Sequence, residues 1–204
     1  MTSRMKSLLG VMMVGSVLVA SAQATFPLRV DIDVSVKRDS NNIGSGSSGS
    51  AKVEMVKCRV KVRKAGGQAY TKPLTAELYV IGRQIHTGYY GVIDVVKKEF
   101  TFSKENDNTF EFITRAYPFG KTTGNVDVGG KFETYLLVIV DDQGKIVDTR
   151  SGRVIREKGI DFIRKLGANT LFDRDGNVIG PIDSNQSAFK RAASAAVSVS
   201  EEND

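Results

Sequence analysis

Every second residue between positions 28 and 37 is aliphatic, and the residues between them are polar or charged. The aliphatic positions are Leu28, Val30, Ile32, Val34 and Val36. A period of two is typical of a β-strand with one buried face and does not arise from a helix. The segment from about Lys52 to Arg63 alternates in the same way. Its phase changes once, between Met55 and Val56, which predicts a β-bulge there.

These two segments predict an antiparallel pair of strands. With Val30 opposite Val60 and Ile32 opposite Cys58, both strands turn their apolar residues to the same face. On the other face Asp31 is then opposite Arg59, an acid beside a base, which indicates a solvated ladder rather than a binding site. Residues 38–50, between the two strands, are rich in Ser, Gly and Asn and predict a flexible loop.

Five further segments have the residue pattern of strands, with turn residues between them. They lie at residues 74–81, 92–102, 109–116, 132–140 and 145–149. Residues 117–130 carry four glycines and are expected to form an irregular crossing between two sheets. The second half of the 132–140 segment is apolar on both faces, which predicts a strand covered on both sides. About seven strands and no long helix predict an all-β fold, a single immunoglobulin- or fibronectin-III-like β-sandwich.

One amphipathic helix is predicted after the strands, from Gly152 to Leu166. Its apolar positions share one stripe and comprise Ile155, Phe162, Ile163 and Leu166. Ser151 is a candidate N-cap and Gly167 a candidate stop. We expect the stripe to pack on the doubly apolar strand at residues 132–140 or on an open end of the sandwich.

Beyond the helix, residues 171–179 repeat the turn residues found at 141–145 and predict a second hairpin. A weak calcium site built on Asp173 and Asp175 is the alternative. An EF-hand register disfavours it, because Leu171 and Ile182 would occupy its first and last ligand positions. Residues 183–204 are predicted to be a disordered tail.

The N-terminus has the three parts of a secretory signal peptide. Arg4 and Lys6 precede a run of weakly polar to apolar residues from Leu8 to Ala20, and Ala22-Gln23-Ala24 is a small-x-small cleavage site. We predict removal of residues 1–24, followed by a sandwich domain at 25–150 and a helix with a short hairpin at 151–182. The alternative, a retained anchor, is disfavoured because the run is shorter than a bilayer span.

Charge and cysteine content narrow the class of protein. The chain has 29 Lys and Arg against 23 Asp and Glu, and the predicted leader holds two of the basic residues, which leaves a net charge of +4. Acids interspersed among the bases, together with export, argue against a nucleic-acid partner. The lone Cys58 permits no intramolecular disulfide, so we predict a bacterial exported protein, periplasmic or extracellular. Cys58 itself is predicted to be an inert apolar residue, with an intermolecular disulfide as the alternative.

The sequence predicts no catalytic residues, no metal site and no cofactor. His86 is the single histidine, which excludes a multi-histidine metal site, and it has no nucleophile beside it in the sequence. Arg83, His86 and several tyrosines flank the irregular loops, as in rims that bind carbohydrate or protein. The predicted binding rim comprises Arg83, His86, Tyr89, Tyr90 and Tyr117, and the alternative for its tyrosines is ordinary packing in the core or at a sheet edge.

Two functional hypotheses follow. The first is an exported, non-enzymatic binding or structural module that acts through loops and sheet edges on a protein or carbohydrate at the cell envelope, with no transmembrane segment after cleavage. The second is a small envelope-associated hydrolase or the accessory subunit of an exported enzyme. A pocket that contains His86 and a carboxylate would favour the enzyme, whereas an aromatic rim or an open strand edge would favour the module.

Overall fold

The computed structural model describes residues 28–41, 50–66, 72–123 and 128–182. Over these residues the chain forms ten antiparallel strands in one open sheet and two short helices, so the predicted all-β class is confirmed. Neither of these helices has the length and apolar character needed to cross a membrane. The predicted signal peptide and the predicted disordered tail lie outside the described residues.

The strands and helices follow one another in a simple order along the chain. The strands are β1 (Leu28–Asn41), β2 (Ser50–Lys64), β3 (Leu74–Gln84), β4 (Tyr90–Phe100), β5 (Thr109–Ile113), β6 (Tyr117–Thr123), β7 (Val128–Val140), β8 (Ile146–Ser151), β9 (Thr170–Phe172) and β10 (Val178–Pro181). The helices are α1 (Arg153–Lys158) and α2 (Ile160–Lys165), both between β8 and β9.

The sheet runs in the order β1-β2-β6-β7-β3-β4-β9-β10, with β5 beside β2 and β8 beside β7. Strand β7 joins two halves of the sheet: its first residues pair with β6, and the rest of it pairs with β3 and β8. Gly129 makes this change of partner possible. Its φ is +128°, and a Cβ there would collide with the Gly120 carbonyl and lie 2.7 Å from Lys121 Cα. A larger residue would push β6 and β7 apart.

Strands β1 and β2 form the predicted antiparallel pair, but the register differs by two residues. Val30 lies opposite Val62 and Ile32 opposite Val60. Because a shift of two keeps every side chain on its face, Asp31 still faces a base, Lys61. The predicted bulge at Met55 and Val56 is wrong, since the fourteen pairs of this register run without a shift. What changes near these residues is the neighbour on the other side of β2, from β6 to β5.

Two other sequence predictions need correction. The supposedly irregular stretch 117–130 contains strand β6 and the start of β7, whose low aliphatic content hid them. The single predicted helix is two helices that meet at Gly159, where a φ of +90° stops helical geometry. The N-cap of α1 is Gly152, which forms no side-chain cap hydrogen bond, rather than the predicted Ser151.

Two hydrophobic clusters hold these elements together. The larger one joins side chains from both halves of the sheet, including Val60 of β2, Leu78 of β3 and Leu137 of β7. The smaller one lies on the opposite face of β3 and β7, where Ile155 and Ile163 of the helices pack against Leu136 and Val138. The predicted docking of the helical stripe on the doubly apolar strand is therefore confirmed.

Candidate functional site

The hairpin between β3 and β4 carries two residues of the predicted rim. Gln84 N donates to the Tyr89 carbonyl at 2.8 Å, and Gly88 N donates to the Gln84 carbonyl at 3.1 Å. Gly88 adopts a φ of +72°, which a glycine tolerates without strain. His86 is exposed in this turn, as predicted for a surface loop, and Tyr89 is half-buried beside it.

Arg83 and Tyr90 lie opposite each other at the base of this hairpin. The guanidinium carbon of Arg83 is 5.7 Å from the centroid of the Tyr90 ring, within the range of a cation–π contact. The Tyr90 ring is also stacked on Phe172 of β9 at 5.5 Å. Because Tyr90 is only 7% exposed, its ring supports the guanidinium more than it offers an open platform to a ligand.

A pocket of about 450 Å³ opens beside this pair. It lies between the ends of β3, β4 and β7, the helix α1 and the turn between β9 and β10. Its lining comprises Arg83, Tyr90, Glu133, Val154, Lys158, Arg174 and Asp175. We call it the Arg83 pocket. Its volume lies within the range of small-ligand sites, about 300–1,000 Å³.

The turn between β9 and β10 holds Arg174 and Asp175 at the mouth of the pocket. Asp173 Oδ1 accepts hydrogen bonds from the backbone N–H groups of Asp175 and Asn177, both at 2.8 Å. The Asn177 side-chain amide donates to Asp173 Oδ2 at 2.8 Å. This bond, followed by the backbone bonds, lowers the pKa of the Asp173 carboxyl. In the earlier hairpin Asp141 Oδ1 accepts hydrogen bonds from the backbone N–H groups of Gln143 and Lys145 in the same way. The predicted repeat of turn chemistry is therefore confirmed.

The Asp173 carboxylate is therefore occupied by its own turn. Among the residues that the structure describes, no group of three or more His, Cys, Asp or Glu side chains is placed to hold a metal ion. The weak calcium site considered for Asp173 and Asp175 gains no further ligands from the described residues.

The three cations of the Arg83 pocket share one property. Within the described part of the chain, Arg83, Lys158 and Arg174 form no ion pair, whereas Glu133 is paired with Lys131 at 3.2 Å. Three cations and one further carboxylate, Asp175, are thus left to balance one another or a ligand. The pocket carries an excess of positive charge.

Tyr117, the fifth residue of the predicted rim, lies apart from the other four. It is 2% exposed and belongs to the larger hydrophobic cluster. Its hydroxyl donates to Asp94 Oδ2 at 3.0 Å, and Arg115 contacts both Asp94 and the Tyr117 ring. Burial, followed by the hydrogen bond to Asp94, raises the pKa of Tyr117 to about 12. These contacts match the packing alternative for this tyrosine.

A second polar cluster lies on the same face of β3, centred on Glu77. The carboxylate is 7% exposed, and it accepts from Lys97 Nζ at 2.9 Å and from Arg164 Nε at 3.0 Å. The Tyr79 hydroxyl donates to the same carboxylate at 3.2 Å. A pocket of about 310 Å³ adjoins these residues. We call this group the Glu77 cluster.

The charges of the Glu77 cluster are matched. Burial by itself would raise the pKa of Glu77, but the hydrogen bonds from Lys97 and Arg164 outweigh it and hold that pKa below its ordinary value. Burial and the adjoining carboxylate raise the pKa of Tyr79 to about 12. Because Arg164 belongs to α2, the cluster fastens that helix to the sheet.

The sequence contained one usable signal for this cluster. Glu77 is the single charged residue between Leu74 and Ile81, in a strand that proves to be buried on both faces. A charged residue in such a strand requires partners from other elements. For Lys158, Arg174 and Glu133 no comparable signal exists, because nothing in their own segments distinguishes them and only the fold brings them together.

Cys58 is fully buried and has no disulfide partner in the described residues. Burial raises the pKa of its thiol to about 11. At neutral pH the group is therefore a thiol rather than the nucleophilic thiolate. This environment matches the prediction of an inert apolar residue.

Comparison of the chain with family models, with curated proteins and with solved structures finds no match.

Proposed function

We propose that this protein is an exported, non-enzymatic binding module whose Arg83 pocket binds a carboxylate-bearing ligand. Acidic groups of a protein and acidic sugars of an envelope polysaccharide share that chemistry. The proposal keeps the hairpin residues His86 and Tyr89 at the rim of the site and assigns no ligand contact to Tyr117.

The observation that carries the proposal is the set of three cations in one pocket with no ion-pair partner in the described chain. A guanidinium presents a fork of N–H donors that matches a carboxylate, and two guanidinium groups and an ammonium line this pocket. Arg83, Lys158 and Arg174 come from three different parts of the fold, β3, α1 and the β9–β10 turn, so an anion among them would be held by more than one element.

The alternative function, a small hydrolase, gains less support from this arrangement. An acid–base site would need His86 within hydrogen-bond reach of a carboxylate in a pocket. Glu133 and Asp175 line the Arg83 pocket, but His86 does not, and it projects from the exposed turn of the β3–β4 hairpin. Binding accounts for the unpaired cations, while hydrolysis leaves them without a role.

The test is a binding titration of the purified protein with two sets of probes. One set contains oligosaccharides of uronic acids with their neutral counterparts, and the other contains acidic peptides with their amidated counterparts. We expect saturable binding of one acidic set, lost for its neutral counterpart and weakened by salt, because screening acts on exposed charges. Failure of both acidic sets to bind would refute the proposal.

Two lysine variants provide a matched control. Lys158→Gln removes a cation from the pocket, and Lys98→Gln removes an exposed lysine from β4 outside it. We expect the first to weaken binding about tenfold or more and the second to leave it unchanged. Equal effects of the two substitutions would indicate nonspecific attraction to a basic protein, and would contradict a site at the pocket.

Export is the part of the proposal that rests on residues 1–24. We expect the protein recovered outside the cytoplasm to begin at Thr25, because Ala22-Gln23-Ala24 satisfies the cleavage pattern. Intact-mass measurement of that fraction tests this expectation. A chain that keeps Met1 and is extracted only with detergent would support the anchor instead.

For the finer fold class, we infer that the two halves of the sheet lie face to face as a sandwich. The support is the larger hydrophobic cluster, which takes side chains from β1 and β2 on one side and from β3 and β7 on the other. An immunoglobulin or fibronectin-III type remains a prediction from the sequence pattern.

A further inference from the structure

Strand β1 differs from the other strands at the borders of the sheet in its length and regularity. It has fourteen residues, and within the described chain it pairs on one side only, with β2. Strand β10 has four residues, ends in Pro181 and has a register shift beside Gly180. Short length, proline, bulges and charged side chains are the usual protections of a free edge. Strand β1 has only the last of these, so its unpaired backbone groups form a template for a strand whose charges complement its own.

The side chains of β1 are arranged so that the strand complements itself. In an antiparallel pair of two copies with Val34 on the two-fold axis, Asp31 of each copy lies opposite Lys37 of the other. On the opposite face Ile32 lies opposite Val36, and Val34 meets its own counterpart. Because the contact is isologous, the Asp31–Lys37 pair and the Ile32–Val36 pair each occur twice in the dimer. Moving the axis to Asp33 would instead place Asp33 against Asp33 and Arg29 against Lys37, and like charges directly opposite are unfavourable.

Exposure agrees with this pairing. Val36 points to the same side as the buried Val30 and is 41% exposed, although Val56, its partner on β2, is fully buried. Lys37 is exposed as well, lies opposite Met55 of β2, and has no ion-pair partner in the described chain. Pairing with a second copy would cover the Val36 side chain and would place the carboxylate of Asp31 opposite Lys37.

We propose that two copies of this protein associate through antiparallel pairing of their β1 strands, which extends one sheet across the dimer. The proposal does not depend on the Arg83 pocket, which lies beyond β3 and β4 in the other half of the sheet. It commits to a second copy as the occupant of this edge, because the charge pattern of β1 is complementary to itself.

The test is sedimentation equilibrium of the full chain and two charge-reversed variants, separately and mixed. In its homodimer, Lys37→Glu places a carboxylate opposite Asp31 twice, and Asp31→Lys places an ammonium group opposite Lys37 twice. We expect each variant alone to raise the dissociation constant of the dimer by about tenfold or more. In an equimolar mixture the mixed dimer places Asp31 of one variant opposite Lys37 of the other. Its second pair sets the introduced glutamate at position 37 opposite the introduced lysine at position 31, so both pairs join an acid to a base.

The mixture therefore restores two acid–base pairs, and a variant that carries both substitutions restores them within a single kind of chain. The double variant Asp31→Lys with Lys37→Glu exchanges the two charges, so each pair in its homodimer again joins an acid to a base. We expect the double variant and the equimolar mixture of the single variants both to dimerise about as well as the unaltered protein, whereas each single variant alone stays weak.

Two controls keep folding separate from association. Asp31 also pairs with Arg63 of its own chain at 2.9 Å, so far-UV circular dichroism must show that Asp31→Lys and the double variant remain folded. If they unfold, Lys37→Glu carries the test, because Lys37 has no such pair. Lys98→Glu, an exposed lysine on β4, should leave the dimer unchanged. The proposal is overturned if the unaltered protein is monomeric at every concentration, if Lys37→Glu dimerises equally well, or if a folded double variant fails to associate.

Discussion

The Arg83 pocket and the Glu77 cluster lie on the same face of β3, but they differ in charge pairing. The charges of the Glu77 cluster are paired, whereas the cations of the Arg83 pocket form no ion pair in the described chain. Their central residues are six positions apart on β3, which places them about 20 Å apart. Helix α2 closes over Glu77 and supplies Arg164 to it, so the buried carboxylate has partners from two elements. Helix α1 borders the other site and supplies Lys158, which finds no acceptor in the described chain.

The difference separates a structural polar cluster from a candidate binding site. A buried charge with matched partners helps to fix the position of the elements that supply those partners. Removing one partner is expected to lower the free energy of unfolding. Cations gathered in a pocket without ion-pair partners contribute little to folding, and their loss is expected to affect binding. Each substitution below should therefore alter one site and spare the other, unless it removes the apolar layer between sheet and helices.

The largest effect is expected from Phe172→Ala. Phe172 is fully buried and stacks on Tyr90, and its ring centroid is 5.6 Å from that of Phe162. It is therefore part of the apolar layer under the Arg83 pocket. Truncation should lower the free energy of unfolding by about 3–5 kcal/mol. Urea melts followed by circular dichroism measure the loss. A change below about 1 kcal/mol would mean that the layer repacks without this ring.

Arg164→Ala should have the next largest effect and should act on stability alone. It leaves the buried Glu77 carboxylate with Lys97 as its single cationic partner, which should cost about 2–4 kcal/mol in the same melts. Arg83→Gln is the matched variant from the other site and should cost less than about 1 kcal/mol. If the two substitutions lowered the free energy of unfolding equally, they would contradict the distinction between a structural cluster and a binding site.

Acidification should distinguish the two sites through Glu77. Because the pKa of Glu77 is lower in the folded protein than in the unfolded chain, its contribution is fully present above roughly pH 4.3, the ordinary pKa of a glutamic acid. That contribution is lost as the pH falls through the lower folded pKa. Melts of the unaltered protein and of Glu77→Gln between neutral pH and pH 3 should differ most near neutrality and converge at acid pH. A constant difference would contradict this linkage.

The smallest effect is expected from His86→Ala. The side chain is exposed in the β3–β4 turn and does not line the Arg83 pocket. Both the free energy of unfolding, within about half a kcal/mol, and ligand binding should be nearly unchanged. A large loss of binding or of hydrolytic turnover in this variant, with the fold intact, would favour the enzyme hypothesis.

The sequence by itself was sufficient for those features that depend on local pattern. Alternation predicted β1 and its pairing with β2, the turn residues at 141–145 and 171–179 predicted two hairpins, and the stripe of Ile155 and Ile163 predicted helix docking. These signals are local because side-chain direction in a strand or helix follows from spacing alone. The same reasoning failed at β6, which has few aliphatic residues, and at Gly159, whose positive φ no spacing rule reveals.

The grouping of charges was decided by the tertiary structure. Arg83, Lys158 and Arg174 are far apart in the chain, and nothing in their local sequence distinguishes them from other surface cations. Tyr117 and Tyr90 each begin a strand, yet the fold places one in the larger core and the other beside the pocket. The physical reason is that a strand pattern determines which face a residue occupies, whereas its partners depend on the order of strands and on long-range pairing, which the pattern does not encode.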